Sequence, residues 1–145
     1  MLEQAISISA MAHAGQTDKA GDPYVLHPIR VMLRVSSYEE RIVAVLHDVL
    51  EDTSITIEYL RTQGFSNEVL EALTLLTKTY DAYMDYIMKI KKNKLAHTVK
   101  LADITDNLDP IRLAKLSSRV RESLKTKYSL ALEMLSEKPE IEQKQ

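Results

Sequence analysis

A chain of 145 residues and 16.5 kDa is enough for one domain with its own core, and 45% hydrophobic with 28% charged residues is ordinary for a folded protein. Having no cysteine, three glycines and four prolines, it excludes a disulfide framework, a thiolate zinc site, a cysteine nucleophile, collagen and extended disorder. A net charge of −2 gives no reason to expect a nucleic-acid polymer as partner, although residues 1–60 carry 4 basic against 9 acidic side chains and residues 61–145 carry 15 against 12.

The opening MLEQAISISAMAHAG lacks a basic leader, and no stretch approaches the roughly 18 apolar residues of a membrane span; the chain reads as cytoplasmic, with no membrane partner. Apolar residues recur at three and four with few alternating runs, which predicts an all-α domain. The first helix covers 2–14 and stops at Gly15, before the polar loop GQTDKAGDPY. Pro28 suits the first turn of a second helix reaching Arg34, with His27 at its cap. A third covers 39–51. Thr56 caps a fourth that ends before Gly64, and Ser66 caps a fifth that reaches Thr77. Helices over 81–92 and 94–109 follow, Asp109-Pro110 marks a break or a new start, and the last helix covers 118–137. The domain is then 1–137, with 138–145 as a frayed tail.

The third helix carries the chemistry. At about 100° per residue, Ile42, Val43, Val45, Leu46, Val49 and Leu50 fall within an arc of roughly 160°. His47, Asp48, Glu51 and Asp52 fill the opposite sector, His47 over Glu51 and Asp48 over Asp52 at i, i+4. Most such sectors are solvated faces. Here no lysine or arginine lies between Arg41 and Arg61 to offset the acids, and Ala44 in mid-sector is too small to screen them. A bound cation would turn this repulsion into attraction.

One helix cannot saturate a metal, so further ligands must come from elsewhere. His27 in YVLHPIR and Asp103 in VKLADITDNL are the candidates. Val99, Leu101, Ala102 and Leu108 mark a buried helix on which Asp103 and Asn107 stand at i, i+4. A buried carboxylate needs a positive partner; Lys100 at i−3 offers a plain salt bridge as the alternative to a metal.

These segments resemble a known family in order along the chain: AHAGQTDKAGDPYVLHP, AVLHDVLEDT, LTK with TYDAYMDYI, and HTVKLADITDN. The chain is similar to the HD-type metal-dependent phosphohydrolases, and among them to the hydrolase domain of the RelA/SpoT (p)ppGpp enzymes and their small stand-alone relatives. The resemblance implies His27, His47, Asp48 and Asp103 as metal ligands and manganese as the ion. A His₂Asp₂ set suits Mn²⁺ and also admits Fe²⁺ or Zn²⁺. It implies Glu51 and Asp52 as the acidic pair that activates water and moves protons, and Asn107 as a substrate contact. Lys19, Lys100 and Arg30 are candidates to balance substrate phosphates.

The implied activity is hydrolysis of a small-molecule nucleotide, first of all removal of the 3′-pyrophosphate of (p)ppGpp. Two departures bear on the substrate. The family's loop carries Arg-Lys, its arginine packing on guanine, where this chain has Asp18-Lys19; a carboxylate cannot stack as a planar cation does. The residue after the last aspartate, usually basic, is Ile104, with Asp106 nearby. The alternatives are therefore the same centre acting on another nucleotide or an NADPH-like phosphate, and a non-catalytic helical module that senses metal or nucleotide. Tyr80, Tyr83 and Tyr86 at i, i+3, i+6 read as packing residues, the run Lys89, Lys91, Lys92, Lys94 as a solvated helix end, and His13 and His97 take no role.

Overall fold

The computed structural model describes residues 1–137 and holds ten helices: α1 Leu2–Ala12, α2 Leu26–Leu33, α3 Tyr38–Leu46, α4 Val49–Asp52, α5 Ile57–Thr62, α6 Asn67–Leu76, α7 Tyr83–Lys91, α8 Lys94–Asn107, α9 Pro110–Ala114 and α10 Ser118–Ser136. Among the described residues there is no strand, only an isolated bridge between Thr17 and Pro23 across the glycine-containing loop. The expected tail at 138–145 lies outside the described residues.

Local chemistry sets most boundaries. Ser37 accepts the Glu40 N–H while Glu40 reaches back to the Ser37 N–H, a complete capping box that starts α3. Thr56, Ser66, Asn93, Asp109 and Ser117 each cap the helix that follows them. α1 ends at Ala12, and in the turn that follows Gly15 has φ 83, a left-handed conformation that a side chain would strain.

Three expectations need correction. The helix expected over 39–51 is interrupted: α3 stops at Leu46, His47 and Asp48 form a bend, and α4 resumes at Val49. Nor is it amphipathic in the expected sense. Ile42, Val43, Ala44, Val45 and Leu46 are all buried, because α3 runs through the middle of the molecule against α1, α2, α6 and α8. Ala44 therefore lies in the core, and the polar sector opens onto an internal cleft. His27, expected at a cap, is inside the first turn of α2, with Pro28 beside it.

The core joins α3 to Val69, Leu73 and Leu76 of α6, Ile87 and Ile90 of α7, Val99 and Ile104 of α8, and Ala131 and Leu135 of α10. Tyr86 packs as expected, its hydroxyl donating to the Leu76 carbonyl at 2.6 Å, whereas Tyr80 is fully exposed. His97 ties α8 to α10 through the Leu135 carbonyl at 2.8 Å. No helix among the described residues is long and apolar enough to cross a membrane.

Candidate metal centre and its cavity

Helices α2 and α8 and the α3–α4 bend bring four of the expected residues to one point. His27 Nε2 stands 2.9 Å from Asp103 Oδ1 and 3.7 Å from Asp48 Oδ2. His47 Nε2 stands 3.2 Å from the same Asp48 oxygen and 3.4 Å from the same Asp103 oxygen. Both imidazoles and Asp103 are buried, and the rings meet edge to face at 5.2 Å.

The orientation of His47 tests whether these residues fit an ion. Its Nδ1–H donates to the Ala44 carbonyl at 2.6 Å, so Nε2 is the nitrogen turned to the carboxylates. That atom is buried and makes no hydrogen bond, although it faces two carboxylates. A nitrogen so placed needs a positive charge, either its own proton or an ion between it and the two carboxylates. Borderline imidazole nitrogens with hard carboxylate oxygens suit a divalent transition ion, and the set fits one.

The electrostatics carry the same demand. Burial opposes a charge on His47, but Asp48 and then Asp103 outweigh it and raise its pKa well above the ordinary imidazole value. For His27, burial is likewise overcome, here by hydrogen bonds to Asp103 and Asp106. Burial would raise Asp48, yet the neighbouring His47 charge holds it below the ordinary aspartate value. Asp103 is kept far below the usual carboxylate range against its burial, chiefly by Lys100. The salt bridge and the metal ligand are thus not alternatives: Oδ2 of Asp103 meets Lys100 Nζ at 2.9 Å, while Oδ1 faces the histidines.

Beside this point, Asp48, Glu51 and Asp52 offer oxygens within 4.8 Å of one another. Glu51 is fixed through Oε1, which accepts the Lys78 backbone N–H at 2.9 Å. Both Glu51 and Asp52 are held above their ordinary pKa, first by partial burial and then by neighbouring acids. Tyr24 donates to Asp48 Oδ2 at 2.6 Å and reaches Asp52 Oδ2 at 3.4 Å.

Tyr24, His27, Asp48, Glu51, Asp52 and Asp103 line a cavity of about 340 Å³, inside the range of roughly 300–1000 Å³ usual for small-molecule sites. Lys19, Lys100 and Asn107 line it too. Asn107 donates to Asp103 Oδ1 at 3.0 Å and approaches the Tyr128 hydroxyl at 3.5 Å. Arg30 does not line it: its Nε is bound to Asp106 at 2.9 Å, which removes it from the expected role beside phosphates. Asp18 serves its own loop, accepting the Ala20 and Asp22 N–H groups at 2.9 and 3.0 Å.

The sequence reading missed several side chains. Lys78 and Lys127 enter the cavity with their ammonium groups over the Tyr83 ring, 5.5 and 4.8 Å from its centroid. Burial, and then the charges of Lys78, Lys100 and Lys19, lower the Lys127 pKa. The cavity therefore has an acidic end and a basic wall. Tyr24, three residues before His27, and Lys78, in the LTK segment, stood in motifs already noted; nothing in the pattern of the last helix pointed to Lys127.

The domain is all-helical, and its buried histidines and aspartates, which could hold a divalent ion, converge beside a mixed-charge cavity. No family model matches the chain. It is 33% identical over 100 residues to a guanosine-3′,5′-bis(diphosphate) 3′-pyrophosphohydrolase of Borreliella burgdorferi, across 66% of this chain and 14% of that protein. It is 31% identical over 149 aligned positions to the bifunctional (p)ppGpp synthase/hydrolase SpoT of Escherichia coli, across 90% of this chain and 21% of that protein. The chain spans about a fifth or less of the length of these relatives. A solved metazoan ortholog of SpoT, described as hydrolyzing ppGpp with a role in starvation responses, shares the fold with a TM-score of 0.78 at 22% identity, over 93% of this chain and 85% of that one. The chain belongs to the RelA/SpoT hydrolase-like family.

Proposed function

We propose that this domain is a divalent-metal-dependent phosphohydrolase that removes the 3′-pyrophosphate of guanosine 3′,5′-bis(diphosphate) and related alarmones. The observation that carries the reading is the convergence of His27, His47, Asp48 and Asp103, with the unpartnered Nε2 of His47 facing two carboxylates. These four would hold the ion, and manganese is the ion we propose for it. When bound, such an ion neutralises phosphoryl charge and brings the pKa of a coordinated water toward neutrality.

The remaining steps belong to the protein. Glu51 and Asp52, on α4 just after Asp48, are positioned to take a proton from the attacking water and return one to the leaving ribose oxygen. Their raised pKa values suit groups that must hold a proton for part of the cycle. Tyr24 orients Asp48 and Asp52 through its hydroxyl. Asn107 and Lys100 fix Asp103 and face the substrate, while Lys19, Lys78 and Lys127 offset its phosphates. A purely structural ion would have no use for two further cavity-facing acids, which disfavours the sensing-module alternative.

One observation favours a wider substrate range: Asp18, at the loop position where the family resemblance implies an arginine, is bound within that loop and to Arg112 at 3.4 Å. The test is phosphate and pyrophosphate release by the purified protein with Mn²⁺, over (p)ppGpp, nucleoside polyphosphates and NADPH. Pyrophosphate release from (p)ppGpp supports the proposal. Activity on the others alone would retain the centre and replace the substrate, and activity on none would refute the proposal.

A further inference from the structure

Asp106 is the most thoroughly enclosed acid in the described structure, at 0% exposure on the inner side of α8. Its Oδ2 accepts the His27 Nδ1–H at 2.7 Å and Arg112 Nη1 at 2.8 Å. Its Oδ1 accepts Arg30 Nε at 2.9 Å and lies 3.4 Å from Arg34 Nη2. The acid therefore ties together α2, which carries His27, the helix that carries Asp103, and α9. Arg112 continues the chain of contacts to Asp18 in the glycine-containing loop over the cavity.

We propose that Asp106 is a positioning residue for the metal centre: by accepting from His27 Nδ1 it fixes the tautomer and ring orientation that turn Nε2 toward Asp48, Asp103 and His47. This rests on the metal reading proposed above. The physical argument is one of donors and acceptors. An ionised carboxylate only accepts, so Asp106 keeps a hydrogen on Nδ1 and leaves Nε2, which faces Asp103 Oδ1 at 2.9 Å, as the nitrogen an ion would take. The guanidinium groups of Arg30 and Arg112 already meet the charge of Asp106, so the acid orients the imidazole by a hydrogen bond. Every other neighbour of Asp106 is also a donor, so the site has no room for an amide NH₂ in place of either oxygen.

Asp106→Asn is the near-isosteric test. Placed with its oxygen toward Arg30, the amide NH₂ would face Arg112 and donate to His27 Nδ1, moving the ring hydrogen to Nε2. Placed the other way, it sets NH₂ against guanidinium. We expect Mn²⁺ and Zn²⁺ affinity by titration calorimetry to fall by about tenfold to a hundredfold, with circular dichroism unchanged. Ser66→Ala, which removes a distant helix cap, is the stability control and should lower Tm without changing metal affinity.

A second measurement needs no variant and stands even if Asp106→Asn fails to fold. Long-range ¹H–¹⁵N correlation on the Zn²⁺-loaded parent should show His27 protonated at Nδ1 and liganded at Nε2. Liganding through Nδ1, or an Asp106→Asn protein that binds metal within twofold of the parent, would overturn the role of Asp106 alone. A parent that binds no divalent ion would overturn the metal centre itself.

Discussion

The hydroxyl of Tyr24 donates to Asp48 Oδ2 at 2.6 Å and lies 3.4 Å from Asp52 Oδ2, so one side chain links a proposed metal ligand to a proposed proton-transfer acid. Burial, and then the charge of Asp48, push its own pKa up, which keeps the hydroxyl a donor throughout the working range. Tyr24→Phe removes this bond with no change in shape. It is expected to lower kcat by about tenfold to a hundredfold, with KM and the circular dichroism spectrum little changed. An unchanged kcat would remove Tyr24 from the account.

The basic wall predicts a selective effect on binding. Lys78 and Lys127 share the Tyr83 ring, and no carboxylate pairs with either among the described residues. Replacing either by alanine should raise KM for a substrate with diphosphates at both ends by about two- to fivefold, the scale of one partly screened charge contact. KM for a substrate with a single phosphate should change less, and the difference should shrink at high salt. Equal effects on both substrates would contradict this arrangement.

Asp18 predicts a pH dependence of stability. Partial burial would raise its pKa, but the Asp22 and Ala20 N–H groups, and then Arg112, hold it below the ordinary aspartate value. A folded pKa below the unfolded one means that the contribution is fully present above about pH 4 and is lost as pH falls through the folded value. Asp18→Asn should therefore lower Tm at neutral pH, and the gap between variant and parent should narrow on acidification below pH 4. Parallel Tm profiles would exclude this role for Asp18.

The two parts of the centre should separate by mutation. Asp48→Ala removes an oxygen near both imidazoles and should abolish metal binding together with activity. Glu51→Gln leaves the four converging residues intact and should spare metal content while lowering kcat by about a hundredfold or more. Metal analysis beside steady-state kinetics reads both, and full activity in Asp48→Ala would contradict the mechanism.

The helices were legible in the sequence because their signals are local. Ser66 and Thr56 cap where polar side chains precede apolar periodicity, and Asp109-Pro110 opens α9. The grouping of His47, Asp48, Glu51 and Asp52 was also legible, since uncompensated acids on one short segment are visible without coordinates. The interruption at His47-Asp48 was not. Every α3 residue from Ile42 to Leu46 is enclosed by α1, α2, α6 and α8, and periodicity cannot distinguish a central helix from one with a solvated face until its neighbours are known. Arg30 and Asp106 show the same limit. They are 76 positions apart, and nothing local reveals that the arginine turns to a buried acid on α8 and not to the cavity.

If His27, His47, Asp48 and Asp103 together hold one divalent ion, a crystal grown with Mn²⁺ reveals it most directly through anomalous scattering at the manganese edge. The predicted result is a single strong peak bounded by His27 Nε2, His47 Nε2 and oxygens of Asp48 and Asp103. No peak at that point, or a peak confined to the exposed carboxylates of Glu51 and Asp52, would contradict it.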